Sequence, residues 1–258
     1  METLKVIKIG GNIIDSDDAL QKFLKDFATL KEPKVLVHGG GKLATKLAQQ
    51  MQVEVKMIDG RRITDAETLD IITMVYAGKI NKHIVANLQA NNCNAIGFTG
   101  ADGNTIVSGL RPSKPVDFGF AGDVKKVNTE TLELLLNHNI TPVFCAITHD
   151  NKGQLLNTNA DTIASELAIG LSTIFNVELY YCFEKNGVLK DVNDHDSVIE
   201  LITPNSIKRL IDDHIIFEGM LPKINNCLHA VSNNVAKVCI GKADMLFNTT
   251  NKHTTISK

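Results

Sequence analysis

Two lysines far apart in the chain occur where a phosphate group could be held. Lys8 lies near the end of the apolar stretch 4–9 and is followed by Gly10 and Gly11. Lys223 falls in the first turn of the last predicted helix, where a cation is unfavourable by about 0.3–1 kcal/mol unless an anion lies nearby. Because glycines lack a Cβ atom, their N–H groups can approach a phosphate closely. Lysines with bare amides suit phosphoryl transfer, and solvated surface lysines are the competing interpretation.

A second glycine turn, 39–41, joins a predicted strand over 35–38 to a predicted helix. Free N–H groups at the start of a helix attract anions, and glycines leave them uncovered. The turn is not a Walker P-loop, because Lys42 is followed by Leu43 and the G-x-x-x-x-G spacing is missing. A flexible turn is the competing interpretation, although three consecutive glycines are entropically costly to order.

Polar side chains cluster at two further points. Arg62 precedes a predicted helix and could form two hydrogen bonds with a carboxylate, although a solvated surface arginine is an equal competitor. Asn157, Asn159 and Asp161 lie between a buried strand and an apolar helix. A helix cap explains one of these three residues, so the group indicates a polar function in a crevice.

The elements that position these residues alternate between strands and helices, which predicts an α/β fold with a largely parallel, helix-covered sheet. On the first strand, Leu4, Val6 and Lys8 share one face, and the residues between them share the other. The stretch 64–67 has the pattern of a capping box that opens a long helix reaching residue 82. The last strand is predicted over 238–240, before a polar tail.

Composition excludes several classes of protein. The 258 residues fit one large α/β domain or two lobes. A net charge of −2 gives no basic footprint for nucleic acid, and no apolar run reaches the roughly 18 residues of a membrane span. The first strand starts almost at once, so no signal peptide is expected. Five scattered cysteines without a CxxC motif favour reduced thiols in a cytoplasm.

No HRD, DFG or Walker signature is present, yet the chain resembles the amino-acid kinase family, and within it the N-acetyl-L-glutamate kinases of arginine biosynthesis. The matching segments keep the order and spacing of that family from Lys5 to about Ile240; they are 7–11, 37–41, 60–64, 77–82, 156–161 and 219–223. The arginine segment and the Asn-x-Asn-Ala-Asp segment are more specific to these kinases than the glycine turns.

The resemblance implies a three-layer αβα sandwich with a mainly parallel central sheet, and it implies a role for each matching residue. Lys8 and Lys223 would stabilise the phosphoryl group in transfer, and Asp161 would hold both lysines. The residues implied to bind the acylated amino acid are Gly40, Gly41, Arg62 and Asn157. Those implied to bind ATP are Gly10, Gly11, Glu184, Lys185, Asn186, Gly187, Val188, Leu189, Ile215, Ile216 and Phe217. Gly41 would also contact a phosphate, and Mg²⁺ would be carried by ATP rather than by a protein metal site.

By the same resemblance, residues 1–175 would form a lobe that binds the acylated amino acid and dimerises, and residues 176–258 would form a lobe that binds ATP. The reaction would convert a side-chain carboxylate into an acyl phosphate. No general base is needed, because that carboxylate is already ionised at pH 7. Partners are therefore expected to be ATP, an N-acylglutamate and a second copy of the chain, without nucleic acid or membrane.

The chain departs from the family pattern in places, and more than one function stays open. The family usually has Asp where Glu184 stands and a small or apolar residue where Lys185 stands. The extra N-terminal helix of hexameric, arginine-inhibited members is missing, which favours a homodimer without arginine feedback. N-succinyl-L-glutamate is a second candidate substrate, for which Lys42 or Arg61 would supply the extra cation. A related kinase acting on carbamate, aspartate or UMP and a non-catalytic amino-acid sensor are the two remaining hypotheses.

Overall fold

The molecule is built around an eight-stranded sheet. This computed structural model describes residues 1–58, 60–191, 193–216, 220–248 and 250–258. The strands are β1 (Thr3–Ile9), β2 (Lys34–His38), β3 (Met57–Ile58), β4 (Arg61–Arg62), β5 (Ala95–Phe98), β6 (Ile106–Leu110), β7 (Gly122–Val127), β8 (Thr141–Phe144), β9 (Ile147–His149), β10 (Leu155–Asn157), β11 (Asn176–Cys182), β12 (Leu201–Ile202), β13 (Lys237–Gly241) and β14 (Thr254–Ile256).

Helices connect most of these strands. They are α1 (Gly11–Ile14), α2 (Asp17–Ala28), α3 (Gly41–Gln50), α4 (Ala66–Thr73), α5 (Asn81–Ala90), α6 (Glu130–Asn137), α7 (Ala160–Leu171), α8 (Pro204–Asp212) and α9 (Met220–Ser232). A π-helical segment, Met74–Ile80, joins α4 to α5, and short 3₁₀ turns cover Asp102–Asn104 and Ala243–Leu246. None of the described helices is long and apolar enough to cross a lipid bilayer.

The main sheet has the strand order β12-β14-β13-β11-β1-β2-β8-β5. All of its neighbouring strands run parallel except β13 and β14. In the register of the sheet, Lys8 on β1 stands between Tyr181 on β11 and Val37 on β2. The carboxyl ends of these three central strands therefore meet at one edge, where open α/β sheets bind ligands.

Helices cover both faces of this sheet. Leu4 and Val6 of β1 belong to a core shared with α6, α7 and α9. Ile7 and Ile9 belong to a second core, shared with α2, α3, α4 and α5. The predicted division of β1 into two buried faces is confirmed, as is the three-layer αβα sandwich with a mainly parallel sheet. Because Lys8 shares the face of Leu4 and Val6, it lies on the side of the sheet that α7 covers.

Two smaller sheets carry residues that the sequence singles out. The first has the order β10-β9-β6-β7, and the second is the β3-β4 pair. Asn157 ends β10, and Arg62 ends β4. The segment 119–121 links them, because Gly119 forms an isolated bridge with Thr64 after β4 and Ala121 forms one with Asn157 of β10.

The predicted capping box at residues 64–67 is wrong. Helix α4 begins at Ala66, and Asp65 caps it by accepting a hydrogen bond from the N–H of Thr68 at 2.9 Å. Thr64 is fully buried, and its hydroxyl donates to the carbonyl of Arg62 and accepts from Asn157. The threonine therefore has a tertiary role, which local spacing does not reveal.

The chain also differs from expectation at its C-terminal end. The strand predicted over 238–240 is β13, but β14 follows it from within the polar tail and pairs antiparallel to it. Thr254 of β14 is fully buried, and its hydroxyl accepts a hydrogen bond from the N–H of Val188 at 2.8 Å. The tail is therefore part of the sheet and contacts the loop after β11.

Candidate active site

The two lysines singled out in the sequence converge on one carboxylate. Lys8 Nζ lies 2.7 Å from Oδ1 of Asp161, and Lys223 Nζ lies 3.6 Å from Oδ2. All three side chains are between 15 and 19% exposed. The structure thus brings together the three residues expected to act in catalysis, from β1, α7 and α9, at the edge where the central strands end.

The charges of this cluster favour an anion. Burial alone would raise the pKa of the Asp161 carboxyl, but the positive charges of Lys8 and Lys223 outweigh burial and hold that pKa below its usual range. Asp161 is therefore a carboxylate at neutral pH. Two ammonium groups around one carboxylate leave one positive charge in excess. Because the three side chains are partly exposed, this charge can attract a phosphate from solution.

Rigid neighbours fix the cluster. Asn159 caps α7 by accepting hydrogen bonds from the N–H groups of Asp161, at 2.8 Å, and Thr162, at 3.2 Å. The buried Tyr181 hydroxyl donates to the carbonyl of Asp161 at 2.9 Å. Lys223 Nζ lies 5.9 Å from the centre of the Tyr181 ring and 5.2 Å from that of Phe183, within cation–π distance. Asn159, predicted as one of three polar residues in a crevice, thus acts as the helix cap.

The first glycine turn adjoins this cluster. Gly10 follows β1 directly, and its N–H donates to the carbonyl of Cys182 at the end of β11, at 3.1 Å. A Cβ atom at Gly10 would lie 3.1 Å from Asn12 Oδ1 and 3.3 Å from the Cys182 carbonyl oxygen. At Gly11 it would lie 3.0 Å from Asp15 Oδ2. A side chain would crowd both positions, and because the N–H of Gly10 already donates to Cys182, only Gly11 could offer an N–H from these two residues to a phosphate.

A cavity of about 180 Å³ opens next to Asp161, at the carboxyl ends of the strands. Its lining includes all four residues that the resemblance assigns to the acylated amino acid: Gly40, Gly41, Arg62 and Asn157. Thr64 ties two of them together, because it donates to the carbonyl of Arg62 at 3.1 Å and accepts from Asn157 Nδ2 at 2.9 Å. Two distant segments thus form one wall.

Arg62 lines this cavity and is held by two hydrogen bonds. Its Nη2 donates to the carbonyl of Gly41 at 3.1 Å and to Oγ1 of Thr45 at 2.8 Å. Its Nη1 is buried and has no hydrogen-bond partner among the residues that the structure describes. A buried donor without a partner costs about 1–3 kcal/mol, and because Nη1 is closed off from solvent, a carboxylate in the cavity would pair with it only after the Arg62 side chain moves.

Gly40 is held closely by its neighbours. Its φ is +157°, and a Cβ atom there would lie 2.3 Å from Ile80 Cδ1 and 2.9 Å from Tyr76 Cδ1. Both of these side chains come from the π-helical segment Met74–Ile80, a kind of irregularity found frequently at functional sites. At Gly41 the corresponding space is open, and α3 begins there. Only the central glycine of the turn is therefore closely packed, because a Cβ atom at Gly39 or Gly41 would meet nothing within 4 Å.

Among the wall residues that were not predicted, three have large side chains: Tyr76, Arg111 and Phe118. Arg111 donates from Nε to Oδ1 of Asp123 at 3.1 Å, and its guanidinium lies 5.5 Å from the centre of the Phe118 ring. Arg111 follows β6, and the pairing of β6 with β7 sets its position. No pattern around Arg111 marks it in the sequence, because that pairing is tertiary.

The residues expected to bind ATP follow the end of β11. Val188 and Ile216 are each 1% exposed and belong to one hydrophobic core. Their N–H groups already donate to Thr254 and to the carbonyl of Leu210, so only their carbonyl oxygens would be free to contact a nucleotide. Ile215 packs against the same core. Glu184 lines a neighbouring cavity with Phe183. Phe217 lies outside the described residues.

The described residues contain no group of three His, Cys, Asp or Glu side chains placed to hold a metal ion. Asp161, the carboxylate of the cluster, is paired with Lys8 and Lys223.

Comparisons with known proteins identify the family of this chain. The model of the amino acid kinase family matches residues 3–242. A protein of Cytophaga hutchinsonii named acetylglutamate kinase is 54% identical over 257 residues, which are 99% of this chain and 97% of that protein. A protein of Phocaeicola vulgatus with the same name is 53% identical and covers 95% of both chains. The crystal structure of smu.665 from Streptococcus mutans superimposes with a TM-score of 0.78 at 27% identity, covering 98% of both chains. This chain belongs to the amino acid kinase family.

Proposed function

We propose that this protein transfers the γ-phosphoryl group of ATP to the side-chain carboxylate of N-acetyl-L-glutamate, a reaction that serves arginine biosynthesis. One observation carries the proposal. Lys8 and Lys223 share the carboxylate of Asp161, which directly follows Asn159 and Ala160 of the cavity wall, and Arg62 lines the same cavity. A site with two phosphate-binding cations next to a carboxylate receptor suits a substrate that accepts phosphate on one carboxylate while another carboxylate anchors it.

The acceptor would lie in the cavity of Gly40, Gly41, Arg62 and Asn157. Its α-carboxylate pairs with Arg62, and its side chain extends toward Asp161 and the lysines. In this arrangement the reacting carboxylate needs no general base, because it is ionised at neutral pH. The protein then contributes mainly by positioning the two reactants, as is usual in phosphoryl transfer.

ATP would bind on the other side of the cluster, along Gly10, Gly11 and the loop 184–189. Mg²⁺ would arrive on the phosphates of ATP and neutralise part of their charge. Lys8 and Lys223 then act on the phosphoryl group from two sides while Asp161 holds their ammonium groups in place. Residues 1–175 accordingly form the lobe that binds the acylated amino acid, and residues 176–258 form the lobe that binds ATP.

ADP release measured across several acceptors tests this function. N-acetyl-L-glutamate is expected to give the highest kcat/KM, with carbamate, aspartate and UMP near background. Binding of N-acetyl-L-glutamate without any ADP release would instead indicate an amino-acid sensor. Preferred turnover of carbamate, aspartate or UMP would indicate a different kinase of the family.

N-succinyl-L-glutamate belongs in the same assay, because its additional carboxylate would need an additional cation. Lys42 is one candidate. Its side chain is 81% exposed and its Nζ lies 3.3 Å from Oδ2 of Asp15, a position that does not favour binding a succinyl carboxylate in the cavity. Arg61, the other candidate, lines the cavity. The names of the relatives favour the acetyl compound, and equal or better turnover of the acetyl compound, unchanged in Lys42→Ala, would agree with it.

We also propose a cytoplasmic homodimer that arginine does not inhibit. All five cysteines are buried and free, as suits a reducing compartment. Strand β5 ends the main sheet, and its Ile96 is 41% exposed, so this edge is a candidate contact between two copies. Light scattering that gives a hexamer, or strong inhibition by arginine in the ADP assay, would refute this assembly and regulation.

A further inference from the structure

His38 is a fully buried titratable residue to which the proposed reaction gives no role. It ends β2 and precedes the glycine turn of the cavity. Its Nδ1 lies 2.8 Å from the carbonyl oxygen of Gly39, and its Nε2 lies 3.1 Å from Nδ2 of Asn81. Both ring nitrogens are therefore used, one by the turn and one by the first residue of α5.

The partners of the ring define its protonation. A carbonyl oxygen can only accept, so Nδ1 carries the hydrogen and donates it to Gly39. Nε2 must then accept from the amide of Asn81. The orientation of that amide is fixed in turn, because its Nδ2 also donates to the carbonyl of Val143 at 2.9 Å and its Oδ1 accepts from Lys82 Nζ at 3.2 Å. Burial lowers the pKa of His38 to about 4, so the ring is neutral at physiological pH.

Asn81 is buried and closely packed. A Cβ atom at Gly97, on the edge strand β5, would lie only 1.8 Å from Asn81 Oδ1, so the side chain fills the space above that glycine. Asn81 also follows the π-helical segment whose Tyr76 and Ile80 pack over Gly40. Tyr76 and Ile80 thus contact the glycine turn directly, and the next residue, Asn81, contacts it through the His38 ring.

The bond to Gly39 fixes the direction of the next peptide group. In a trans peptide the carbonyl oxygen of one residue and the N–H of the following residue point in opposite directions. Since the carbonyl of Gly39 points to the His38 ring, the N–H of Gly40 points away from that ring. Gly40 has no side chain that could restrict this rotation, so the hydrogen bond and the packing of Tyr76 and Ile80 must do so.

We infer that His38 is a positioning residue for the acceptor substrate: its Nδ1–H, held in one tautomer by Asn81, orients the Gly39–Gly40 peptide so that the N–H of Gly40 is presented to the acylated amino acid. This inference rests on the proposed function, because it assigns the turn to the acceptor. It predicts that loss of the Nδ1–H donor weakens the use of the acceptor and leaves the use of ATP unchanged.

Two substitutions at one position separate the two ring nitrogens. In His38→Asn, the side-chain amide lies near the former Nδ1 and can still donate to Gly39. In His38→Gln, the longer side chain reaches the former Nε2 and can still accept from Asn81, but the donor to Gly39 is lost. We expect His38→Gln to raise the KM for N-acetyl-L-glutamate about threefold to tenfold, the range of one lost hydrogen bond. The KM of His38→Gln for ATP should stay within about twofold of the wild-type value. His38→Asn should have a lower KM for N-acetyl-L-glutamate than His38→Gln.

Packing alone predicts the opposite order. Asparagine is smaller than histidine and leaves a larger cavity than glutamine does, so a filler role would make His38→Asn the worse variant. Thr141→Val is the control, because Thr141 is also a buried polar residue of the main sheet. It begins β8, at the edge of the sheet opposite to the glycine turn, where its hydroxyl contacts Cys93. Thr141→Val should lower thermal stability and leave both KM values unchanged.

The wild-type protein is assayed first, so that two failures can be told apart. A wild type that does not phosphorylate N-acetyl-L-glutamate contradicts the proposed function. An active wild type overturns the inference about His38 if His38→Gln keeps the wild-type acceptor KM, or if His38→Asn has the higher KM of the two variants. A rise in the KM for ATP equal to that for the acceptor would also overturn it.

Discussion

Replacing Asp161 by asparagine removes the charge that Lys8 and Lys223 share and keeps the shape of the side chain. At Nζ–O distances of 2.7 and 3.6 Å, an effective dielectric constant of about 20 gives gross attractions of about 6 and about 5 kcal/mol. Desolvation of the charges offsets most of this. Removing one partner of a buried pair costs about 3–5 kcal/mol, and because these side chains keep some contact with water we expect about 3 kcal/mol.

This loss of stability has a defined pH dependence. The pKa of Asp161 is lower in the folded protein than in the unfolded chain, so its charge stabilises the fold above the unfolded pKa of about 4. The stabilisation is lost as the pH falls through the folded pKa. The difference in free energy of unfolding between the wild type and Asp161→Asn, measured by urea denaturation, should therefore be largest near pH 7 and shrink below about pH 4.

Asp161→Asn should also lower kcat. Without Asp161 the two ammonium groups repel one another, and misplacement of a reacting group by about 1 Å can cost about 100-fold in rate. We expect kcat for ADP release to fall by about that factor. Glu32→Gln is the control, because Glu32 pairs at 2.7 Å with Lys5 of the same strand as Lys8 and its side chain is 38% exposed. A kcat within threefold of the wild type, or a stability loss independent of pH, would refute this role of Asp161.

Three further predictions concern the two binding regions. Arg62→Lys loses the buried Nη1 donor, so the KM for N-acetyl-L-glutamate should rise about 10-fold to 100-fold while the KM for ATP stays constant; equal effects on both would contradict this. Gly40→Ala places a methyl group against Ile80, so steady-state kinetics should show activity lost and partly restored by adding Ile80→Ala, whereas a fully active single variant would show that the turn yields. Thr254→Val removes the acceptor for the N–H of Val188, so the KM for ATP alone should rise severalfold, and an unchanged value would argue that β14 does not support the nucleotide loop.

The parts of the site that repeat locally could be predicted from the sequence. Alternation along β1 correctly assigns Lys8 to one face of the sheet, because the period of a strand is fixed by its backbone. The glycine turns mark where strands end, and the resemblance supplies the pairing of Lys8 with Lys223 across the chain. The structure brings these residues to one edge because parallel strands end together.

The parts that depend on tertiary contacts could not be predicted. Thr64 fits the pattern of a capping box, but its hydroxyl is used by Arg62 and Asn157 instead. Arg111 reaches the cavity only through the pairing of β6 with β7. Strand β14 is short and polar, and it gains its structure from β13 rather than from its own periodicity.

Turnover after neutralising the lysines tests most directly whether they act together on the phosphoryl group. ADP release is measured for Lys8→Met, Lys223→Met and the double variant, with Lys5→Met, on the other face of β1, as the control. Each catalytic variant should lose at least about 100-fold in kcat, as when one stabilising donor is removed from a transition state, while the dissociation constant for N-acetyl-L-glutamate changes by less than about fivefold. A folded double variant that releases ADP within tenfold of the wild-type rate would contradict the proposed mechanism.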